Sequence, residues 1–167
     1  MKIKKAIVTG GAGFIGSNLV DYLINQGIEV IIIDDLSTGK KENINPKATF
    51  YNVDISKELI SSKVPFEGVD VVFHTAAKAR VQPSIEDPMS FNEVNITGTL
   101  NILLAAHKAG VKRVVYSASS SCYGDNVKFP TPEHGPKGPI SPYGLQKYVG
   151  EQYCKMFSKV YGLDTVS

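Results

Sequence analysis

With 167 residues, of which 43% are hydrophobic, 9% aromatic and 20% charged, the chain is long enough for one domain with a sizeable core and lies outside the compositions of disordered and collagen-like chains. Eighteen Lys and Arg against sixteen Asp and Glu leave a net charge of +2, too little for a nucleic-acid surface, and basic residues cluster only at Lys2, Lys4, Lys5 and at Lys40, Lys41. Two cysteines, Cys122 and Cys154, make no disulfide framework and have no histidine at zinc-ligand spacing, so no metal site is expected and a reducing, cytosolic compartment fits best.

The N-terminus runs from lysines straight into a strand-like run and a glycine loop, the pattern of neither a signal peptide nor a membrane span. In chain order, Lys5 to Val8, Val30 to Asp34, Thr49 to Val53, Val69 to His74 and Arg113 to Ser117 are short apolar runs rich in β-branched residues, as buried strands are. Between them Gly13 to Gln26 and Pro88 to Ala109 read as helices, the second stopped by Gly110, and Ser56 to Ser62 as a weaker one. From Gly124 to Pro142, five of the nine prolines and three glycines break the pattern, which predicts a long loop. Ser141 then offers an N-cap and Pro142 suits the first helical position, opening a helix to about Val160. After Gly162, Leu163 to Val166 begins another buried strand. Strands alternating with helices predict an α/β chain with a doubly wound parallel sheet covered on both faces.

The first strand ends in Thr9-Gly10-Gly11-Ala12-Gly13-Phe14-Ile15-Gly16, a G-x-x-G-x-x-G spacing directly before a helix. The backbone there must turn sharply and come close to a pyrophosphate, so side chains at Gly10 and Gly13 would obstruct it, and the N–H groups of the helix start receive the negative charge. The second strand ends at Asp34, eighteen residues past Gly16, where a carboxylate accepts from a ribose 2′-hydroxyl and repels the 2′-phosphate of NADP, so NAD is favoured. Lys40 and Lys41 just beyond are either a phosphate contact or a solvated face. Asp54 and Ile55 offer an acceptor and an apolar wall to an adenine, while Asp54 also suits an N-cap.

Tyr143 and Lys147 stand four apart on the predicted last helix and so project from one face. A neighbouring ammonium favours the phenolate of a tyrosine, which makes the pair a usable general base and acid near neutral pH. The pair alone is a frequent accident, but it follows a nucleotide loop on the same chain. The fifth strand ends in Ser117-Ala118-Ser119-Ser120-Ser121, and strand carboxyl ends are where open α/β sheets bind ligands. Ser119 can therefore serve the same reacting oxygen as Tyr143.

These motifs, together with Asp34-Asp35-Leu36-Ser37-Thr38-Gly39, His74-Thr75-Ala76-Ala77, Tyr116-Ser117-Ala118-Ser119-Ser120-Ser121-Cys122-Tyr123-Gly124 and Ser141-Pro142-Tyr143-Gly144-Leu145-Gln146-Lys147, resemble the extended short-chain dehydrogenase/reductase superfamily, and more narrowly the NAD-dependent nucleotide-sugar epimerase/dehydratase family. The resemblance covers the whole chain in order. It implies a Rossmann-type sheet, Tyr143 as catalytic base, Lys147 on the nicotinamide ribose and Ser119 on the sugar hydroxyl being oxidised. It also implies NAD contacts from Phe14, Ile15, Asp34, Asp35, Leu36, Ser37, Thr38, Gly39, Asp54, Ile55, Ala76 and Asn95. Sugar dehydratases of the family are similar but carry a Thr-Asp-Glu triplet where this chain has Ser119-Ser120-Ser121, so elimination lacks its acids here. The resemblance then favours epimerisation of a UDP-sugar at C4 through a 4-keto sugar, with a nucleotide-sugar decarboxylase, dehydratase or reductase of the same family as the alternative, and a non-catalytic NAD-sensing domain as a third reading that has no use for Tyr143.

Some residues depart from the family pattern. Lys78 and Arg80 follow Ala76-Ala77 where relatives mostly carry small or apolar residues; two cations there either meet the substrate diphosphate or merely solvate a loop. Cys122 stands where an aliphatic residue is usual and suits a small buried role. His107 and His134 read as surface groups. Relatives continue beyond this length, so the chain is expected to be an N-terminal NAD-binding part, residues 1–167, without the substrate domain and inactive by itself. Ile96, Leu100, Leu103, Leu104, Val149, Tyr153 and Phe157 place apolar residues on more than one face of two helices. The resemblance implies that these form a four-helix bundle in a homodimer; the other reading is that both stripes are core.

Overall fold

The computed structural model describes residues 2–57, 60–125 and 128–167. Six strands, β1 (Lys5–Thr9), β2 (Glu29–Asp34), β3 (Thr49–Asn52), β4 (Val71–His74), β5 (Arg113–Tyr116) and β6 (Asp164–Val166), lie in the order β3-β2-β1-β4-β5-β6, and every pairing is parallel. Parallel neighbours need long crossovers, and helices supply them. Helix α1 (Phe14–Asn25) joins β1 to β2, and α2 (Ile60–Lys63) precedes β4. Between β4 and β5 come α3 (Val81–Glu86), α4 (Pro88–Asn92) and α5 (Thr99–Lys108), and α6 (Pro142–Tyr161) leads into β6. Among the described residues no helix is long and apolar enough to cross a membrane.

The two faces of the sheet bury different halves of the same strands. Ile7, Ile31, Ile33, Val72 and Val114 pack with Ile102, Leu103 and Phe157 of α5 and α6, while Ala6, Val8, Val30, Ile32 and Val71 pack with Val20 and Leu23 of α1. Alternate residues thus point to opposite covered faces, which is why these strands read as continuous apolar runs. Within the long helical stretch after β4, residues Glu93–Gly98 form a π-helical turn between α4 and α5. The expected single helix from Pro88 to Ala109 is therefore continuous in backbone but widened in the middle.

The caps are as the sequence predicts. The Ser141 hydroxyl accepts from Gly144 N at 3.1 Å with Pro142 in the first turn, and Gly110 and Gly162 sit at φ +69° and +71°, where glycine ends a helix without strain. Helix α3 has no counterpart in the sequence reading, because a six-residue helix with Pro83 inside it leaves no periodic stripe. The expected Ser56 to Ser62 helix falls partly on residues outside those described, as does part of the Gly124 to Pro142 loop. In the described part of that loop Lys137 Nζ lies 3.4 Å from the centroid of the Tyr123 ring, and Gly138 N donates to Cys122 O at 3.1 Å. Lys40 and Lys41 are exposed, as are His107 and His134, and Cys122 is buried.

At the N-terminal edge of the sheet one carboxylate ties three strands together. Asp70 accepts from Lys4 N at 2.7 Å, from Lys5 N at 3.2 Å and from Lys112 Nζ at 2.6 Å. These donors hold its carboxyl down to about 2, with the Lys112 ammonium the largest cause. A folded-state value below the unfolded one, about 3.9, gives stability that is complete above that value and is lost as pH falls through the folded one. Urea midpoints of the wild type should therefore fall between about pH 4 and pH 2, and Asp70→Asn should have a lower midpoint at neutral pH and a shallower acid decline. Parallel declines in the two proteins would show that Asp70 is not responsible.

Candidate functional site

The order of the sheet reverses between β1 and β4, so their chains leave in different directions and a crevice opens at their C-terminal ends. The glycine loop lies there. Gly10 adopts φ +70°, and a Cβ on it would stand 2.8 Å from Ala76 N. A Cβ on Gly16 would fall on Gly10 O. The loop is thus folded back on itself and against the end of β4 with no room for side chains. Helix α1 starts immediately after it with Gly13 as N-cap, no side-chain cap and no acid in its first turn. Its first N–H groups are donors that an anion can satisfy. Phe14 and Ile15, at 84% and 65% exposure, are large apolar residues left open beside them.

Asp34 fastens the two cofactor-facing loops together. Its Oδ2 accepts from Ala12 N at 3.0 Å and its Oδ1 from Leu36 N at 2.8 Å. A carboxylate has about four acceptor sites, so acceptor capacity is left for a ribose hydroxyl. The cleft above it, about 290 Å³, is lined by Gly10, Gly13, Phe14, Ile15 and Gly16, then by Asp34, Asp35, Ser37 and Thr38, and farther on by Asp54, Ile55 and Ala76. Asp54 Oδ1 also accepts from Ser56 N at 2.8 Å in a local turn. Leu36 and Gly39 do not line the cleft. Leu36 turns the chain at φ +60°, and a Cβ on Gly39 would approach Asp34 Oδ1 to 2.8 Å, so both shape the loop that presents the acid. An uncapped helix start, a glycine cradle and an acid with remaining acceptor sites are together what an adenosine diphosphate moiety needs, and the residues present fit NAD.

Asn95 is not in the cleft but behind it, at 1% exposure. Its Oδ1 accepts from Lys78 N at 2.9 Å, and its Nδ2 donates to Lys78 O and to Gln146 Oε1, both at 3.0 Å. These bonds hold the loop after β4 against α6.

Tyr143, Lys147 and Ser119 lie around the start of α6, next to the cleft and not among its lining. Tyr143 N donates to Ser84 Oγ at 3.1 Å, which fixes the helix start against α3. Lys147 is 4% exposed. Its Nζ stands 4.2 Å from the centroid of the Tyr116 ring, and burial lowers its pKa to about 8. Ser119 caps a short turn by accepting from Ser121 N at 3.2 Å. That turn packs on α6 so closely that a Cβ on Gly144 would lie 2.7 Å from Ser121 O.

Sequence reasoning missed a buried relay under the site. Ala76 N donates to Thr9 Oγ1 at 3.2 Å, Thr9 Oγ1 and His74 Nδ1 are 2.7 Å apart, and His74 Nε2 is 3.0 Å from Thr99 Oγ1, which donates to Asn95 O at 2.7 Å. The donors and acceptors assign the tautomer, with the Thr9 hydroxyl donating to Nδ1 and Nε2–H donating to Thr99. Burial, with the Lys147 ammonium as a second cause, pushes the imidazole pKa down to about 3, so His74 is neutral at physiological pH. A histidine closing an apolar strand was the available signal.

Comparison with known proteins follows this geometry. Residues 6–167 match the sequence model of the NAD dependent epimerase/dehydratase family. A protein of Methanocaldococcus jannaschii provisionally named UDP-glucose 4-epimerase is 46% identical over 159 residues, covering 95% of this chain and 52% of that protein. The crystal structure of UDP-glucose 4-epimerase from Thermotoga maritima with UDP-glucose superposes with a TM-score of 0.92 at 44% identity, covering 96% of this chain and 53% of that one. The Thermus thermophilus UDP-glucose 4-epimerase complex with NAD superposes with a TM-score of 0.88 at 36% identity, covering 98% and 53%. The chain spans about half the length of the curated relatives it matches. With a glycine cradle, an acid at the end of β2 and a tyrosine–lysine pair on α6, and with a family match over almost its whole length, the chain belongs to the NAD-dependent epimerase/dehydratase family.

Proposed function

We propose that this chain carries the NAD-binding and proton-transfer part of an enzyme that epimerises a UDP-sugar at C4. The observation that carries the reading is that a desolvated lysine, Lys147, shares the first turns of α6 with Tyr143 at the same sheet edge as the uncapped glycine loop. When bound, NAD accepts hydride from the sugar carbon and returns it. The chain's own residues handle position and protons. The glycine loop holds the diphosphate and Asp34 the adenosine ribose, while Tyr143 takes the proton of the C4 hydroxyl as the 4-keto sugar forms and gives it back afterwards. Lys147 holds the nicotinamide ribose and places a positive charge on the helix face that Tyr143 shares. Ser119 Oγ accepts from Ser121 N, so its own proton is left to donate to the sugar oxygen. The absence of acids in Ser119-Ser120-Ser121 favours epimerisation over dehydration.

The same reading includes a cytoplasmic homodimer. Cys122 and Cys154 are buried free thiols, as suits a reducing compartment. Between α4 and α6 runs an apolar groove with Met89, Ile140 and Leu145 largely exposed and Ile96 and Val149 beside them. Leu103 and Phe157 of the same stripes belong to the intrachain core and Leu100, Leu104 and Tyr153 pack against it, so what supports a four-helix bundle with a second copy is the groove beside Ile96 and Val149. Sedimentation of the full-length protein at micromolar concentration should give a dimer that Leu145→Glu dissociates; a monomeric wild type rules the bundle out.

Tyr143→Phe should lower turnover ~100- to 10,000-fold, the size of general acid/base catalysis, with NAD binding unchanged. Near-normal turnover sinks the mechanism. The Lys147 ammonium is lost as pH rises through about 8, so kcat/KM for the UDP-sugar should decline across that value in the wild type. Lys147→Met should be weakly active with that decline gone; a decline that persists in the mutant assigns it to another group.

A further inference from the structure

In the reaction proposed above, hydride leaves a sugar carbon and a proton leaves the hydroxyl on that same carbon, so the cofactor cleft and the phenol of Tyr143 must be held in register although they lie on different stretches of chain. Helix α6 begins with Ser141 as N-cap and with Pro142, which has no N–H, so the free donors of its first turn are the amides of Tyr143 and Gly144. Gly144 N is taken locally by the Ser141 hydroxyl at 3.1 Å. Tyr143 N donates instead to Ser84 Oγ, 59 residues away in sequence, also at 3.1 Å. The amide of the tyrosine itself is thus the one capped from another helix.

Ser84 is held in a single geometry. It is fully buried in α3, and its own hydrogen goes to Val81 O at 2.6 Å, which leaves its lone pairs for Tyr143. A helix of six residues is marginal alone, and α3 is braced at both ends. Upstream the chain leaves the cleft lining at Lys78 and turns into α3 at Arg80, which is exposed and has φ +88°. Downstream it ends at Asp87, whose side chain caps α4 by accepting from Ser90 N at 3.1 Å. Helix α4 meets α6 about one turn past Tyr143, where Gln146 Nε2 donates to Pro88 O at 3.3 Å. The stretch from Lys78 to Pro88 therefore has one end in the wall of the cleft and two hydrogen bonds to the first turns of α6.

We infer that Ser84 is a positioning residue for the reaction, its hydroxyl setting the register of Tyr143 against the cofactor cleft through the Tyr143 amide. The inference rests on the reading of Tyr143 as the proton-transfer group. Its test is steady-state turnover of UDP-glucose and UDP-N-acetylglucosamine by the full-length protein, with NAD binding measured alongside. Ser84→Ala should lower kcat about 10- to 100-fold, the cost of misplacing a reacting group by up to about 1 Å, with KM and NAD affinity unchanged. Ser84→Cys keeps the side-chain volume and weakens the acceptor, so it should show a loss of the same kind and serves where the alanine variant does not fold. In a Tyr143→Phe background Ser84→Ala should cause no further loss, because the hydroxyl that it positions is gone; a residue that only supports the fold would slow both backgrounds alike. Full kcat in the Ser84 variants overturns the inference, as does an equal fold-loss with and without the Tyr143 hydroxyl, or a loss that follows weaker NAD binding. A wild type inactive on both sugars, or Tyr143→Phe at near-normal turnover, overturns the reading of the base and the inference with it, and either is seen without touching Ser84.

Discussion

Strands β1 and β4 lie side by side with Thr9 opposite His74, yet the chain leaving β1 enters α1 on one face of the sheet and the chain leaving β4 heads for helices on the other. The 2.7 Å hydrogen bond between the Thr9 hydroxyl and His74 Nδ1 holds the two strand ends together at the point where they part. Both residues are fully buried, and removing one partner of such a pair costs about 1–3 kcal/mol for the group left unsatisfied. The cleft walls hang from this seam. Ala76 is bonded to the Thr9 hydroxyl, and Thr99 to the far side of the imidazole. The loop over the ligand and the helix behind it are thereby referenced to the same two side chains.

Local features were legible in the sequence because their causes are local. A glycine loop between strand and helix, an acid closing the next strand and two residues four apart on a helix each follow from backbone sterics or helical spacing. The bonds of Asn95 could not be read locally, because its partners are the backbone of Lys78 and the side chain of Gln146, the latter far along the chain. Helix α3 and the π turn were invisible, the first too short to show a period and the second differing from an α-helix only in which amides and carbonyls pair.

Burying Lys147 requires a partner for its charge that is not an acid. The ring face of Tyr116 serves, and a cation over an aromatic is worth about 0.5–2 kcal/mol. That ring also needs space, which Gly150 provides: a Cβ there would fall on the Tyr116 hydroxyl. Tyr116 OH then donates to Lys147 O at 3.3 Å. Lysine, tyrosine and glycine thus form one packing unit in which the phenol, which burial holds in its neutral form, supports α6 from below and its ring supports the ammonium.

The π turn at Glu93–Gly98 sets the angular phase of everything after it. An α-helix advances about 100° per residue, so a helix that lost the extra residue and relaxed to α geometry would present α5 rotated by about that angle to the sheet. Ile102, Leu103 and Ala106, now fully buried, would turn away from β4 and β5, and Thr99 would leave His74. The stretch therefore tolerates exchange of its exposed side chains far better than any change in its residue count.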